Sequence, residues 1–259
     1  MIENYQIREN ARHHLDNRLF GTVWMRLLVV SLIGGLIIGI PSSINGILTL
    51  KYPKVMAIVG IFLAIGTIVL SGPISYAMAR IFLKVTRGDK NVDYSDLLCG
   101  FKEELAEAIL LDLMRAIYTI LWSLLLIIPG IIKAYSYSMA SYIQQEAKDK
   151  TWRNCIERSM ELTDGYKGRL FLLDLSFIGW YFLGLLCFGV GVLWVSVYHG
   201  AARAEFYEQL KKEKNIDFTT DKSAEPFQTE EEKKPEGTDV EPFAEMQEQK
   251  DEPKNPFEL

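Results

Sequence analysis

The sequence lacks the signatures of the common catalytic folds. It holds no HExxH, no GxSxG and no Walker A loop, and Gly189-Val190-Gly191 has neither the third glycine nor the preceding strand of a dinucleotide loop. Its three cysteines, Cys99, Cys155 and Cys187, are odd in number, far apart and in no CxxC arrangement, which argues against a disulfide framework and a cysteine zinc site. His13 and His14 are adjacent, so on a helix they diverge by about 100° and cannot chelate as an i, i+4 pair would. No cofactor, no nucleic-acid partner and no enzymatic activity are expected.

What is present is apolar length. The chain of 259 residues is 49% hydrophobic, and its charge is unevenly spread. Residues 1–210 carry a net charge of +2 and residues 211–259 one of −7, so the acidic balance belongs to the tail. That division sets two domains: a helical transmembrane domain over 1–210 and a disordered acidic tail over 211–259, whose composition buries too little surface to fold.

Residues 1–20 are polar, with Ile7, Ala11 and Leu15 at the spacing of one helical face, the pattern of a helix lying on the membrane surface. Val23 to Ile40 is an apolar run of about 27 Å if helical, close to the ~30 Å of a hydrocarbon core. It has no small-residue cleavage site and is read as an uncleaved span. Pro41 to Lys54 has the composition of an exposed connection. Val55 to Val85 is a second span, kinked at Ser71-Gly72-Pro73. Thr86 to Lys102 is charged, with Asp93 as a helix N-cap and Tyr94, Leu97, Leu98, Phe101 and Leu105 on one face. Leu105 to Ile128 is the third span, Pro129-Gly130 a sharp turn, and Ile131 to Ala147 a short, polar fourth span. A second surface helix follows over 148–167, with Trp152, Ile156, Ser159/Met160 and Thr163 at helical spacing. Leu170 to Phe188 and Val190 to Tyr207 are the fifth and sixth spans.

The fold class is therefore all-α and membrane-embedded: six transmembrane helices in three helical hairpins, with cytoplasmic surface helices. The hairpins look like a repeat. SYAMA from Ser75 recurs as SYSMA from Ser136, 61 residues on, and Tyr198 lies a further 61 along; LLDL from Leu110 recurs from Leu172. Lys and Arg gather before the first span, between the second and third, and between the fourth and fifth, which places both termini in the cytoplasm of a cell-membrane protein.

Ionisable residues inside a membrane are functional candidates by default, because lipid penalises them unless they are paired or hydrated. Asp112 and Asp174 hold equivalent places in two hairpins, and Arg80 and Arg203 follow the repeat tyrosines. They either form Asp-Arg pairs that lock the hairpins or line a polar path. Tyr76, Tyr137 and Tyr198, with Tyr135, Tyr142 and the serines among them, make the return helices polar; packing and a hydroxyl-lined cavity are the two readings. Gly35 and Gly39 form a GxxxG, a basis for homo-oligomerisation. In the tail, Pro-Phe occurs three times, at Phe227, Phe243 and Phe257, a pattern suited to multivalent docking of a cytosolic protein partner.

SGPISYAMARIFL from Ser71, DYSDLLCGFK from Asp93, LWSLLLIIPGIIKAYSYSMASYI from Leu121, and GYKGRLFLLDLSFIGW from Gly165 followed by GVGVLWVSVYHGAARAEFY together resemble the bacterial membrane family catalogued as domain of unknown function 975. The resemblance covers about residues 5–210 and implies a helical, multi-pass protein of the cell membrane, with no assigned activity. Val197-Tyr198-His199 stands where the family often has Pro-Tyr, so a role for His199 does not follow from the resemblance; it is kept as a candidate polar residue. The expected function is a non-enzymatic membrane module that assembles with or regulates partners, the alternative being a transporter of a small solute or lipid along an intramembrane polar path.

Overall fold

The computed structural model describes residues 3–16, 21–186 and 189–218, and among them every regular element is helical. The tail phenylalanines Phe227, Phe243 and Phe257 lie outside the described residues. Helix α1 spans Asn4–His14 and is opened by a capping box in which the Glu3 N–H donates to Gln6 Oε1 at 2.8 Å. Two long helices follow, α2 (Thr22–Lys51) and α3 (Pro53–Thr86), then a 3-10 turn over Tyr94–Leu98 and the short α4 (Cys99–Lys102). The remainder is α5 (Leu105–Leu125), α6 (Ile127–Tyr137), α7 (Ala140–Glu146), α8 (Trp152–Thr163), α9 (Lys167–Leu186) and α10 (Val190–Lys214).

Sequence neighbours pair in space: α2 lies along α3, α5 along α6 and α9 along α10. The turn into α10 is made by Gly189 at φ +79, a conformation glycine adopts without penalty. Beside it Gly184 and Gly191 let two backbones touch; a Cβ on Gly184 would stand 2.8 Å from the Gly191 carbonyl carbon.

Burial is concentrated at one end of these pairs. There Ile7, Ala11 and Leu15 of α1, the Tyr76–Val85 end of α3, α7, the inner face of α8 and the Val197–Leu210 part of α10 form one core. The α1 face read from its spacing is fully buried, packed mainly against α10. The other end is apolar and open: Leu50 is 88% exposed, Phe62 71%, Leu124 83%, Ile127 75% and Leu186 68%. Contiguous apolar surface of this extent needs a nonaqueous neighbour. Among the described residues four helices are long and apolar enough to cross a bilayer: α2, the Ile65–Thr86 part of α3, α5 and α9.

Several sequence expectations are corrected. The connection expected over 41–54 is helical as far as Lys51, and the chain turns only at Tyr52. Ser42 and Thr49 donate back to the carbonyls of Ile38 (2.9 Å) and Asn45 (2.7 Å), which hides their polarity within the helix. The second turn falls at extended Leu126, not at Pro129-Gly130. Pro129 instead sits in the first turn of α6, where its missing N–H has no intrahelical acceptor to lose.

The expected fourth span is interrupted at Ser138-Met139, between α6 and α7. The single helical face expected over 94–105 is divided among the 3-10 turn capped by Asp93, α4 and the start of α5, with Leu97 buried but Tyr94, Leu98 and Leu105 exposed. On α8, by contrast, Ile156, Ser159 and Thr163 are buried as their spacing suggests. At its far end α10 runs on to Lys214, and Phe218 is buried against Tyr207 and beneath the Arg158 guanidinium.

Candidate functional site

The interruption in the fourth segment shows how this chain handles polar groups. A helix break frees a carbonyl and an amide, which are costly when buried unpaired. Here Ser159 of α8, fully buried, fills the break: its hydroxyl donates to the Ser136 carbonyl at 2.7 Å and accepts from the Met139 N–H at 3.2 Å. Thr163, one turn further along, also reaches the Ser136 carbonyl at 3.4 Å. The N-terminus of α8 is held in turn by α5, where Glu107 accepts from the Trp152 N–H at 3.1 Å.

Asp174 and Arg203 come together, at 3.3 Å. His199 joins them, its Nε2 2.7 Å from Asp174 Oδ1, while its Nδ1 lies 3.1 Å from the Tyr181 hydroxyl. With Asp174 ionised, Nε2–H donates to the carboxylate, and in a neutral imidazole Nδ1 then accepts from Tyr181. Phe177 lies against the imidazole with ring centres 4.7 Å apart.

Asp112 and Arg80 do not meet. Asp112 accepts from the Ser71 hydroxyl at 2.6 Å and forms an ion pair with Arg115, one turn along α5. Arg115 also donates to the Ser141 hydroxyl of α7 at 3.2 Å. Arg80 pairs instead with Glu103, at 2.6 Å and largely in the open. Equivalent sequence positions do not guarantee equivalent neighbours: Asp112 meets α3 at Ser71, nine residues before Arg80, and it is Glu103 that stands beside the Arg80 guanidinium.

The repeat tyrosines fasten return helices to what lies at the buried end. Tyr198 donates to the Arg8 carbonyl of α1 at 3.0 Å, accepts from Arg12 at 3.4 Å, and packs on Phe177 and Trp24. Tyr76 receives Lys150 at its hydroxyl (3.4 Å) and Gln145 at its carbonyl (3.0 Å). Tyr137 is buried with its ring 6.2 Å from that of Tyr118.

Two further clusters had no sequence signal beyond charge. Glu146 accepts from the Tyr207 hydroxyl and from Lys211, both at 2.7 Å, and is paired with Arg87, which also holds Glu208 at 2.8 Å. Buried Glu205 accepts from Asn10 (3.1 Å) and Gln209 (2.8 Å) and lies 3.4 Å from His14, which ties α1 to α10. At the same end, burial pushes the Cys155 thiol up to about 12, with Asp149 adding to the effect. No group of three metal-ligating side chains occurs among the described residues.

No curated protein and no solved structure matches this chain. A family model does match it, over residues 1–136 and 124–214, which together take in every helix described above. The chain therefore belongs to the family described as protein of unknown function DUF975.

Proposed function

We propose that this chain is a non-enzymatic membrane module, built from three pseudo-repeated helical hairpins that enter the cell membrane from the cytoplasmic side and leave both termini in the cytoplasm. The observation that carries the reading is the state of the two aspartates: Asp112 is engaged by Ser71 and Arg115, and Asp174 by His199 and Arg203. Polar groups satisfied by their own chain hold helices together and offer little to a passing solute. The backbone freed at the Ser138-Met139 break is likewise taken up by Ser159.

The module works as a platform. Its tail presents Phe227, Phe243 and Phe257 to a cytosolic partner, and the α2 face carrying Gly35 and Gly39, where a Cβ would meet open space, supports self-association. The test is neutralisation of Asp112 and Asp174 by asparagine in the full chain. The folded fraction in membranes falls for each variant; a variant that folds as well as the parent but loses solute flux in proteoliposomes overturns this reading in favour of a transporter. Replacing all three Pro-Phe pairs by Ala-Ala abolishes capture of cytosolic protein by the full chain.

A further inference from the structure

The three hairpins differ in how far they can reach beyond their last charge. Arg26 and Lys51 are 25 residues apart on α2, and Lys54 and Arg80 are 26 apart on α3. At about 1.5 Å per residue these charge-free stretches measure about 37 and 39 Å, more than the ~30 Å hydrocarbon core of a bilayer. The second and third hairpins are far shorter by the same measure. From Arg115 to the end of α5 at Leu125 is 10 residues, about 15 Å, and from Asp174 to the end of α9 at Leu186 is 12, about 18 Å. On the return side, Val190 to His199 spans 9 residues, about 14 Å.

A full crossing by α5 would set Arg115, the middle residue of a 21-residue helix, near the bilayer midplane, where a guanidinium is least tolerated. Lys133 makes the same point. It lies over the Trp122 ring, 5.1 Å from its centre, and Trp122 is 7 residues from Arg115, about 10 Å along α5. Two cationic levels about 10 Å apart cannot occupy headgroup layers separated by ~30 Å, but both can reach one layer, Lys133 by extending its stem.

The neighbours of these charges agree. Arg115 bonds to Ser141 of α7, and α5 carries the Glu107 that caps α8, whose outer face exposes Arg153, Glu157 and Glu161. Asn4 of α1 donates to the Arg169 carbonyl at the start of α9 at 3.1 Å. The charged parts of both hairpins are thus flanked by polar surface helices, where Leu105, Phe171 and Leu172 are the exposed large apolar side chains, and the parts beyond carry the longer runs of bare apolar surface, among them Leu124 to Ile128 and Ile178 to Leu186.

We propose that only the first hairpin crosses the bilayer, and that the second and third end inside it as apolar wedges among the acyl chains of the leaflet on the basic side. This rests on the membrane insertion argued under Proposed function. It makes the protein a device that adds volume to one leaflet while anchored through both.

The experiment uses the full chain with Cys99, Cys155 and Cys187 replaced by alanine, bearing one cysteine at a time as Leu50→Cys, Leu126→Cys or Leu186→Cys, in sealed right-side-out and inverted vesicles. A membrane-impermeant maleimide modifies L50C only from the face opposite the termini, and modifies L126C and L186C from neither face. Nitroxides at 126 and 186 collide at least several-fold more often with oxygen than with an aqueous nickel chelate. Labelling of L126C or L186C from the same face as L50C overturns the wedges and leaves insertion standing. Labelling of both from the terminal face, with the chain extracted by alkaline carbonate, overturns insertion itself. Failure of L50C to label from the far face overturns the crossing of the first hairpin. As a gain-of-function arm, Asp112→Leu with Arg115→Leu lets L126C become labelled from the far face; unchanged protection would show that these charges do not set the depth.

Discussion

Replacing Ser159 by alanine removes one oxygen and leaves two backbone groups to fend for themselves. The side chain is fully buried, so no water replaces it without opening the core. The Ser136 carbonyl keeps a longer bond from Thr163 at 3.4 Å and is partly rescued, whereas the Met139 N–H loses its Ser159 acceptor at 3.2 Å. A buried donor left bare costs about 1–3 kcal/mol, and the weakened bonding of the Ser136 carbonyl adds to it, so S159A destabilises by about 2–3 kcal/mol. For a folded unit of roughly 200 residues, at about 2–4 °C per kcal/mol, the expected drop in midpoint is about 4–12 °C. Thermal unfolding in a nanodisc, followed by tryptophan fluorescence, reads this directly. Adding Thr163→Ala removes the reserve donor, so the double variant loses more than the two single losses combined, by about 1 kcal/mol. If S159A unfolds within about 0.5 kcal/mol of the parent, the break at Ser138-Met139 is not held from α8 and the account of the fourth segment is wrong.

Other perturbations test other parts of the structure. Gly72→Ala places a Cβ 2.6 Å from the Ala108 carbonyl oxygen and 2.8 Å from the Ile109 Cα; because both are backbone, α3 and α5 must part, at a cost of about 1–3 kcal/mol in an unfolding titration. Burial, with Asp149 nearby, raises the Cys155 thiol to about 12, so it stays protonated at neutral pH and resists maleimide until the chain is denatured; fast labelling of the folded protein would contradict this. Leu162→Ala in the core costs about 2–5 kcal/mol, whereas Leu124→Ala, at a position 83% exposed, leaves the unfolding midpoint nearly unchanged, and equal losses would deny the asymmetry of burial.

Much of the architecture is legible in the sequence because it rests on local patterns. Spacing alone identifies the buried face of α1 in Ile7, Ala11 and Leu15, and most of that of α8. Apolar length locates α2, α5 and α9. What stays hidden depends on partners far along the chain or on hydrogen bonding that composition does not encode. Pro41 and its polar neighbours look like a loop, yet Ser42 and Thr49 satisfy themselves inside a helix. Arg115 is easily absorbed into the run around it, because the many apolar residues of α5 outweigh it in any average, and its pairing with Asp112 shows only in the structure. The role of Ser159 becomes visible only once the fourth segment is seen to break 20 residues upstream. Of the candidate site, the sequence offers Asp-Arg pairing as one of two readings but not which residues meet: Asp174 meets Arg203, whereas Asp112 meets Ser71 and Arg115, and Arg80 meets Glu103.

Within lipid, apolar helices gain nothing by leaving their apolar surroundings for one another, so association there rests on close packing and on polar ties. The described residues follow that rule. Within the third hairpin the close approach of Gly184 to Gly191 brings the two helices together. Where α1, α7 and α8 converge on α3 and α10, the chain instead has a core of the kind water drives, with Leu15, Met139, Ile143, Leu162 and Phe206 almost wholly buried. The polar clusters lie between these regimes: Asp174 with His199 and Arg203, Asp112 with Ser71 and Arg115, and Glu205 with Asn10 and His14. At such a boundary a charge can face water on one side and bond its own chain on the other, so neither its desolvation nor its loss of partners is complete. That is how the described residues of this chain carry ionisable groups on apolar helices.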